Sequence, residues 1–203
     1  MAVKDKILND KQIVIASHNE GKIEEFKSLL YKYKISLLTS SQLNIKDVEE
    51  VGKTFEENAI IKAKSISGRY ICLSDDSGLC VNSLNGKPGI FSARFAKESG
   101  GWEPAMERIY KEIIKKNKTD FQAKFVCVIA LKWLDSQISL FRGEVFGKIV
   151  WPPKGKNGFG YDPIFKPNGS SKTFAEMSHR KKIYCDHRYE AFLKLSKEHL
   201  IGN

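Results

Sequence analysis

The chain reads as an α/β protein, and three stretches carry that reading. Residues 12–17, QIVIAS, form a short apolar run, after which Ile23, Phe26, Leu29, Leu30 and Tyr33 recur at helical spacing: strand, turn, helix. Thr54-Phe55-Glu56-Glu57 matches a capping box that opens a second helix, and YICLS at 70–74 follows it as a second buried strand. Over 121–133, Phe121, Ala123, Phe125, Cys127, Ile129, Leu131 and Trp133 alternate. Asp135-Ser136-Gln137 then turns the chain, and 138–150 returns as the partner strand of a long hairpin.

The remaining elements follow the same logic. The second helix carries Phe55, Ala59, Ala63 and Ile66 on one face, with Gly68 as its expected stop. Lys62 falls opposite that apolar stripe. Residues 102–116 form an amphipathic helix with Ala105, Ile109 and Ile113 on one stripe. The segment 152–173, rich in Pro, Gly, Asn and Lys, is a loop around the short apolar piece Ile164-Phe165. A last helical pattern runs through Ala191, Phe192 and Leu195. Strand order does not follow from these patterns.

With 203 residues, 41% of them hydrophobic, the chain has material for a sizeable core and is expected to form a single domain over 1–203, or one with a small lobe. No stretch reaches the roughly 18–20 apolar residues of a membrane span. The first residues, MAVKDKILNDKQ, are too polar for a secretory signal, so a soluble cytoplasmic protein is expected. Cys72, Cys80, Cys127 and Cys185 are scattered with no C-x-x-C pair, which argues against zinc and against a disulfide framework. The net charge of +10 fits either a polyanion-binding surface or general lysine enrichment. The 34 Lys and Arg residues are spread along the whole chain, which favours the second, so no stable nucleic-acid partner is expected.

Four segments are candidates for chemistry. Ser17-His18-Asn19-Glu20-Gly21-Lys22 follows a strand and opens a helix, where backbone amides and a lysine suit phosphates; taken alone it is equally an ordinary N-cap at Ser17 or Asn19. Asp75-Asp76 ends an apolar strand before Ser77-Gly78, at the carboxyl end where open α/β sheets bind ligands, although DDSG is also good turn chemistry. With Glu49, Glu50 and Glu57 these carboxylates make an acidic set suited to Mg²⁺, which takes one or two carboxylates plus substrate phosphates. Gly158-Phe159-Gly160-Tyr161-Asp162-Pro163 offers a close backbone approach and aromatics to stack on a purine, or else core anchors. Lys181-Lys182 and Asp186-His187-Arg188 place donors before the final helix, or simply start it.

Together the segments IASHNEGKIEEF (15–26), TFEENAIIKAK (54–64), SDDSGLCVNSLNGKPGIFSARFA (74–96), GKNGFGYDPIF (155–165) and AEMSHRKKIYCDHRYEAF (175–192) resemble one family. It is that of the inosine triphosphate pyrophosphatases, the HAM1-like non-standard purine NTP pyrophosphatases, and the resemblance covers nearly the whole chain. It implies an α/β fold with a long curved mixed sheet, flanking helices in two lobes and a central substrate cleft. It also implies a homodimer. The implied activity is Mg²⁺-dependent cleavage of ITP, dITP or XTP between the α- and β-phosphates, which cleans the nucleotide pool.

Carried over by residue, the resemblance makes Ser17, His18, Asn19, Glu20, Gly21 and Lys22 the triphosphate loop. Asp76 becomes proton acceptor and metal ligand, with Glu49 as the second ligand and Glu50 or Glu57 as alternatives. Ser77 touches substrate; Phe159, Gly160, Tyr161 and Asp162 line the nucleoside pocket; Lys182, His187 and Arg188 recognise the base. Three positions depart from the family pattern: His18 stands where glycine is usual, Asp186 where serine precedes the His-Arg pair, and Cys80 where a small or acidic residue is common. Two other readings are a Maf-like pyrophosphatase with another base preference and a non-catalytic nucleotide- or RNA-binding relative. The first is separated by a base panel, the second by tight, salt-sensitive RNA binding without metal.

Overall fold

A computed structural model describes residues 6–115 and 119–201. Among these, β1 (Gln12–Ala16), β2 (Ser36–Thr39), β3 (Ile71–Val81), β4 (Gln122–Lys132), β5 (Ile138–Ile149) and β6 (Phe165–Pro167) form one six-stranded mixed sheet in the order β2-β1-β3-β4-β5-β6. β1 pairs in parallel with β2 and with β3, while β5 and β6 are antiparallel. The helices are α1 (Glu20–Leu30), α2 (Phe55–Ser65), α3 (Ser92–Glu98), α4 (Trp102–Lys115), α5 (His179–Lys182) and α6 (His187–His199). Lys116, the expected last residue of the 102–116 helix, lies outside the described residues. No helix among the described residues is long and apolar enough to cross a membrane.

The described chain divides into two units. The first takes residues 6–76, 127–143 and 188–201. Its core joins Ile13 and Ile15 of β1, Phe26 and Leu30 of α1, Leu73 of β3, Ile129 and Leu131 of β4, and Phe192 and Leu195 of α6. The second takes 77–115, 119–126 and 144–187, with a core of Leu79, Val81, Met106, Ile109, Phe125, Ile164, Phe165 and Phe174. β3 and β4 are central strands buried on both faces, which is why the alternation of 121–133 fills with apolar residues in its middle.

Three expectations need correction. Asp75-Asp76-Ser77-Gly78 is neither a turn nor the end of a strand: β3 runs through it to Val81, and both carboxylates are buried. Turn chemistry loses here because Leu79 and Val81 continue the buried pattern and because buried cations meet the two acids. At Gly78 a Cβ would stand 2.1 Å from the Gly89 carbonyl oxygen, so only glycine fits. Second, α2 ends at Ser65, before Gly68. Buried Lys132 of β4 donates to the carbonyls of Ile66 and Ser67, doing from a strand what a glycine cap does locally. Third, Phe165–Pro167 inside the 152–173 loop is an edge strand, paired with 147–149 of β5.

Candidate active site

Parallel register sets the first cluster. Ala16 lies opposite Ser74, so the turn at 17–19 that follows β1 lies beside Asp75-Asp76, where β3 continues. Asn19 is the N-cap of α1: its side chain accepts from the Lys22 amide at 3.1 Å, and Ser17 Oγ accepts from the Asn19 amide at 3.2 Å. One turn into the helix, Lys22 Nζ returns to Asp75 Oδ2 at 3.1 Å. His18 leaves the turn on the other side. Its Nε2 lies 3.0 Å from the Ile45 carbonyl and its Nδ1 3.5 Å from Asp47 Oδ1.

Successive strand residues face opposite ways, which gives the two aspartates different surroundings. Asp75 Oδ2 accepts from Arg188 Nη2 at 2.9 Å, and the same guanidinium pairs with buried Glu25. Asp76 Oδ2 accepts from Asn58 Nδ2 at 3.0 Å, and Lys62 Nζ lies 3.7 Å from Asp76 Oδ1 and 2.6 Å from Glu50 Oε1. Asn58 and Lys62 are four apart on α2 and so share a face. Asn58 Oδ1 also accepts from the Gly52 amide at 2.8 Å, which ties the Glu50-bearing segment to Asp76 through one side chain.

The electrostatics separate the pair. Burial works against ionising Asp75, but Lys22, Arg188 and Lys62 outweigh it and hold its carboxyl well below the usual range. Burial pushes Asp76 up, and Glu50 adds to the rise, against the opposing pull of Lys62, Lys22 and the Asn58 hydrogen bond. Lys62 is buried too, yet Asp76, Asp75 and Glu50 keep its ammonium more basic than usual. The two adjacent carboxylates are thus pushed in opposite directions.

A second cluster lies in the other unit. Asp162 Oδ2 accepts from the Phe159 amide at 2.9 Å and pairs with Lys182 Nζ at 2.7 Å, and that ammonium sits 4.5 Å from the Phe159 ring centroid. Gly158, at φ +74°, approaches so closely that a Cβ would stand 2.1 Å from Asp162 Oδ2. The His187 ring stacks on Phe125, centroids 4.7 Å apart. Phe159 is half-buried, but Tyr161 is a core anchor: its hydroxyl donates to the Ser92 carbonyl at 3.0 Å and its ring meets Trp102 edge-on.

These geometries coincide with a sequence match. The model of the Ham1 family aligns with residues 13–198. The chain belongs to the Ham1 family. A dITP/XTP pyrophosphatase of Rhizobium meliloti is 43% identical, the match covering 96% of this chain and 98% of that protein. One of Zymomonas mobilis is 39% identical over 95% and 93%. The Staphylococcus aureus Ham1 protein superimposes with TM-score 0.80 at 41% identity, covering 92% of this chain and 97% of that one. A Coxiella burnetii HAM1 protein gives 0.82 at 36%, with the same coverages.

Within this Ham1 chain the expected residues divide clearly. Ser17, His18, Asn19, Glu20, Gly21, Lys22 and Asp76 fall in the first unit, and Ser77, Phe159, Gly160, Tyr161, Asp162, Lys182 and His187 in the second. Glu50, not Glu49, is brought to Asp76 through Lys62; Glu49 is exposed. Glu57 reaches back past the N-cap, its carboxylate accepting from the Lys53 amide at 2.6 Å rather than from Thr54, so only the Thr54 half of the expected capping box forms. Arg188, expected at the base, is fully buried and stands behind Asp75. Lys62 is buried rather than opposite a buried face. No site role follows from the sequence for Asn58 or Glu25, which the structure brings to Asp76 and Arg188. A polar Asn58 next to Ala59 on the apolar face of α2 was the one available signal.

The residues present fit Mg²⁺. Among the described residues no group of three or more His, Cys, Asp or Glu side chains closes around a metal position. Magnesium does not need one, since it commonly takes one or two carboxylates and completes its shell with water and phosphate oxygens. Glu50 and Asp76 already converge on one cationic centre, Lys62, and Asp75 Oδ1 is buried with no hydrogen-bond partner among the described residues. Glu50 and Asp76 are the carboxylates that would hold such a cation.

Proposed function

We propose that this chain hydrolyses non-standard purine nucleoside triphosphates, ITP, dITP and XTP, to the monophosphate and pyrophosphate. The observation that carries the reading is the buried Asp75-Asp76 pair on β3, with Asp76 held by Asn58 and Lys62 bridging it to Glu50, in a chain of the Ham1 family. Attack by water on the α-phosphorus forms a P–O bond and breaks the bond to the bridging oxygen, with pyrophosphate leaving. The water's proton goes to Asp76. A carboxylate at its ordinary pKa of about 4 is a weak base, so a metal ion would have to acidify the attacking water.

Asp76 and Glu50 are the residues that would hold Mg²⁺, which would neutralise charge on the phosphates and lower the pKa of the attacking water. Asn58 fixes the Asp76 carboxylate, and Lys62 keeps Asp76 and Glu50 from repelling one another before substrate arrives. The turn 17–22 offers its amides to phosphate oxygens, and Lys22, fixed on Asp75, adds positive charge there. No covalent intermediate is needed.

For the base, Lys182 and His187 are the proposed readers, with Phe159 as the stacking surface. Lysine only donates, so it satisfies the carbonyl that inosine and xanthine carry at purine position 6 and leaves the adenine amino group unmatched, a penalty of about 1–3 kcal/mol. We assign Arg188 to holding Asp75. Both units are read as one pyrophosphohydrolase domain, which works as a homodimer in the cytoplasm.

The test is a substrate panel. ITP, XTP, GTP and ATP are incubated with and without Mg²⁺, and products are resolved by anion exchange. IMP and pyrophosphate formed from ITP, Mg²⁺-dependent and far faster than the ATP reaction, support the reading. Conversion of ITP to IDP and phosphate, or survival of ITP, defeats it.

A further inference from the structure

We infer that His18 is a positioning residue that clamps the segment carrying Glu50, and so sets how readily this site takes a divalent cation. The inference rests on the metal-dependent reading above but concerns a contact that the proposed reaction does not itself use.

The stretch from Asn44 to Thr54 has no regular secondary structure. It is held at separate points. Lys62 takes Glu50 at 2.6 Å, Asn58 takes the Gly52 amide at 2.8 Å, and Glu57 takes the Lys53 amide at 2.6 Å. All three anchors come from α2 and lie at or beyond Glu50. Before Glu50, the Ile45 amide donates to the Ser40 carbonyl at 3.0 Å, and the next anchors are the His18 contacts, at the Ile45 carbonyl and the Asp47 carboxylate. A carbonyl only accepts, so Nε2 donates in the 3.0 Å contact, and the Asp47 carboxylate, which also only accepts, is a second anchor only when Nδ1 carries a proton as well. His18 therefore couples the phosphate turn at the end of β1 to the N-terminal half of the Glu50 segment. A glycine at 18 has no atoms to do this. The clamp lowers the ordering cost of presenting Glu50 beside Asp76, as preorganised ligands do at metal sites.

His18→Gly, His18→Gln and Asp47→Ala are compared with the parent protein, with Mn²⁺ as probe. Two readouts need no turnover: amide hydrogen exchange across 44–53, and Mn²⁺ affinity by electron paramagnetic resonance. His18→Gly is expected to speed exchange in 44–50 while leaving β3 and β4 unchanged, and to weaken Mn²⁺ binding by about tenfold. His18→Gln, which keeps a donor for the Ile45 carbonyl, recovers most of both, and Asp47→Ala gives a smaller change in the same direction. Unchanged exchange and unchanged Mn²⁺ affinity in His18→Gly overturn the inference. So does a uniform rise in exchange over the whole chain, which would mark His18 as a general stabiliser. Should the parent protein fail to hydrolyse ITP, the exchange and Mn²⁺ results still decide the clamp, so the two failures are distinguishable.

Discussion

Arg188 Nη2 donates to Asp75 Oδ2 at 2.9 Å, and both side chains are closed to solvent. The guanidinium also holds Glu25, so one cation on α6 neutralises acids on α1 and β3. A planar fork can serve two carboxylates at once; an ammonium is a point charge and cannot reproduce it. Arg188→Met is therefore expected to leave two buried carboxylates short of a partner and to destabilise the protein by about 3–5 kcal/mol. Arg188→Lys should recover only part of the loss. Urea unfolding measures both, and a change below about 1 kcal/mol, the scale of an exposed pair, contradicts the assignment.

The same cluster gives stability a pH dependence with a fixed sign. Asp75 is depressed in the folded state, whereas in the unfolded chain it protonates near about 3.9. Below that value the unfolded state binds the extra proton, so the contribution is present in full above it and is lost as pH falls through it towards the folded value. Denaturation midpoints taken from neutral pH down to acid should drop on this limb. In Asp75→Asn, less stable at neutral pH, the limb should be flatter. An equally steep limb in the variant shows that other groups carry it.

Asn58 is expected to matter for turnover out of proportion to its effect on folding. Its amide holds the Asp76 carboxylate and the Gly52 amide together, so Asn58→Leu frees the proposed base to rotate. Turnover of ITP should fall by about 10–100-fold, the usual cost of losing an outer-shell partner. Asp76→Asn, which removes the base itself, should fall further. Steady-state kinetics at saturating Mg²⁺ provide the comparison, and full activity in Asn58→Leu contradicts it.

Thiol chemistry tests burial independently. Burial pushes the Cys72 thiol up to about 12, and Cys127 is equally inaccessible, while Cys80 and Cys185 are partly exposed. Iodoacetamide at about pH 8 requires thiolate, so in the folded protein it should modify at most Cys80 and Cys185, and all four cysteines after unfolding. Peptide mass spectrometry reads the outcome. Modification of Cys72 in the folded chain would contradict the packing of β1 against β3.

Much of the fold was legible in the sequence because periodicity and caps act locally. The Thr54 cap, the hairpin turn at 135–137 and the apolar stripes of α1 and α4 all lie where their patterns predict. The failures share one cause: a distant residue supplies what local chemistry appeared to need. Lys132 ends α2 before Gly68, cations from α1, α2 and α6 let Asp75-Asp76 continue a central strand, and β5 turns a Pro-containing loop into an edge strand. β2, four residues with little apolar contrast, left no pattern to read. In the site, residue types were legible and partnerships were not. Glu49 and Glu50 differ only in which one reaches Lys62, and Arg188 gives no sign in the sequence that its partners are Glu25 and Asp75.

The most direct measurement of the proposed reaction is hydrolysis of ITP with Mg²⁺ in oxygen-18-labelled water, with mass analysis of both products and Asp76→Asn run alongside. Attack at the α-phosphorus places the label in IMP and leaves pyrophosphate unlabelled, and the variant forms neither product at a comparable rate. Label in pyrophosphate, or release of single phosphate with IDP, would contradict attack at the α-phosphorus and the role given to Asp76.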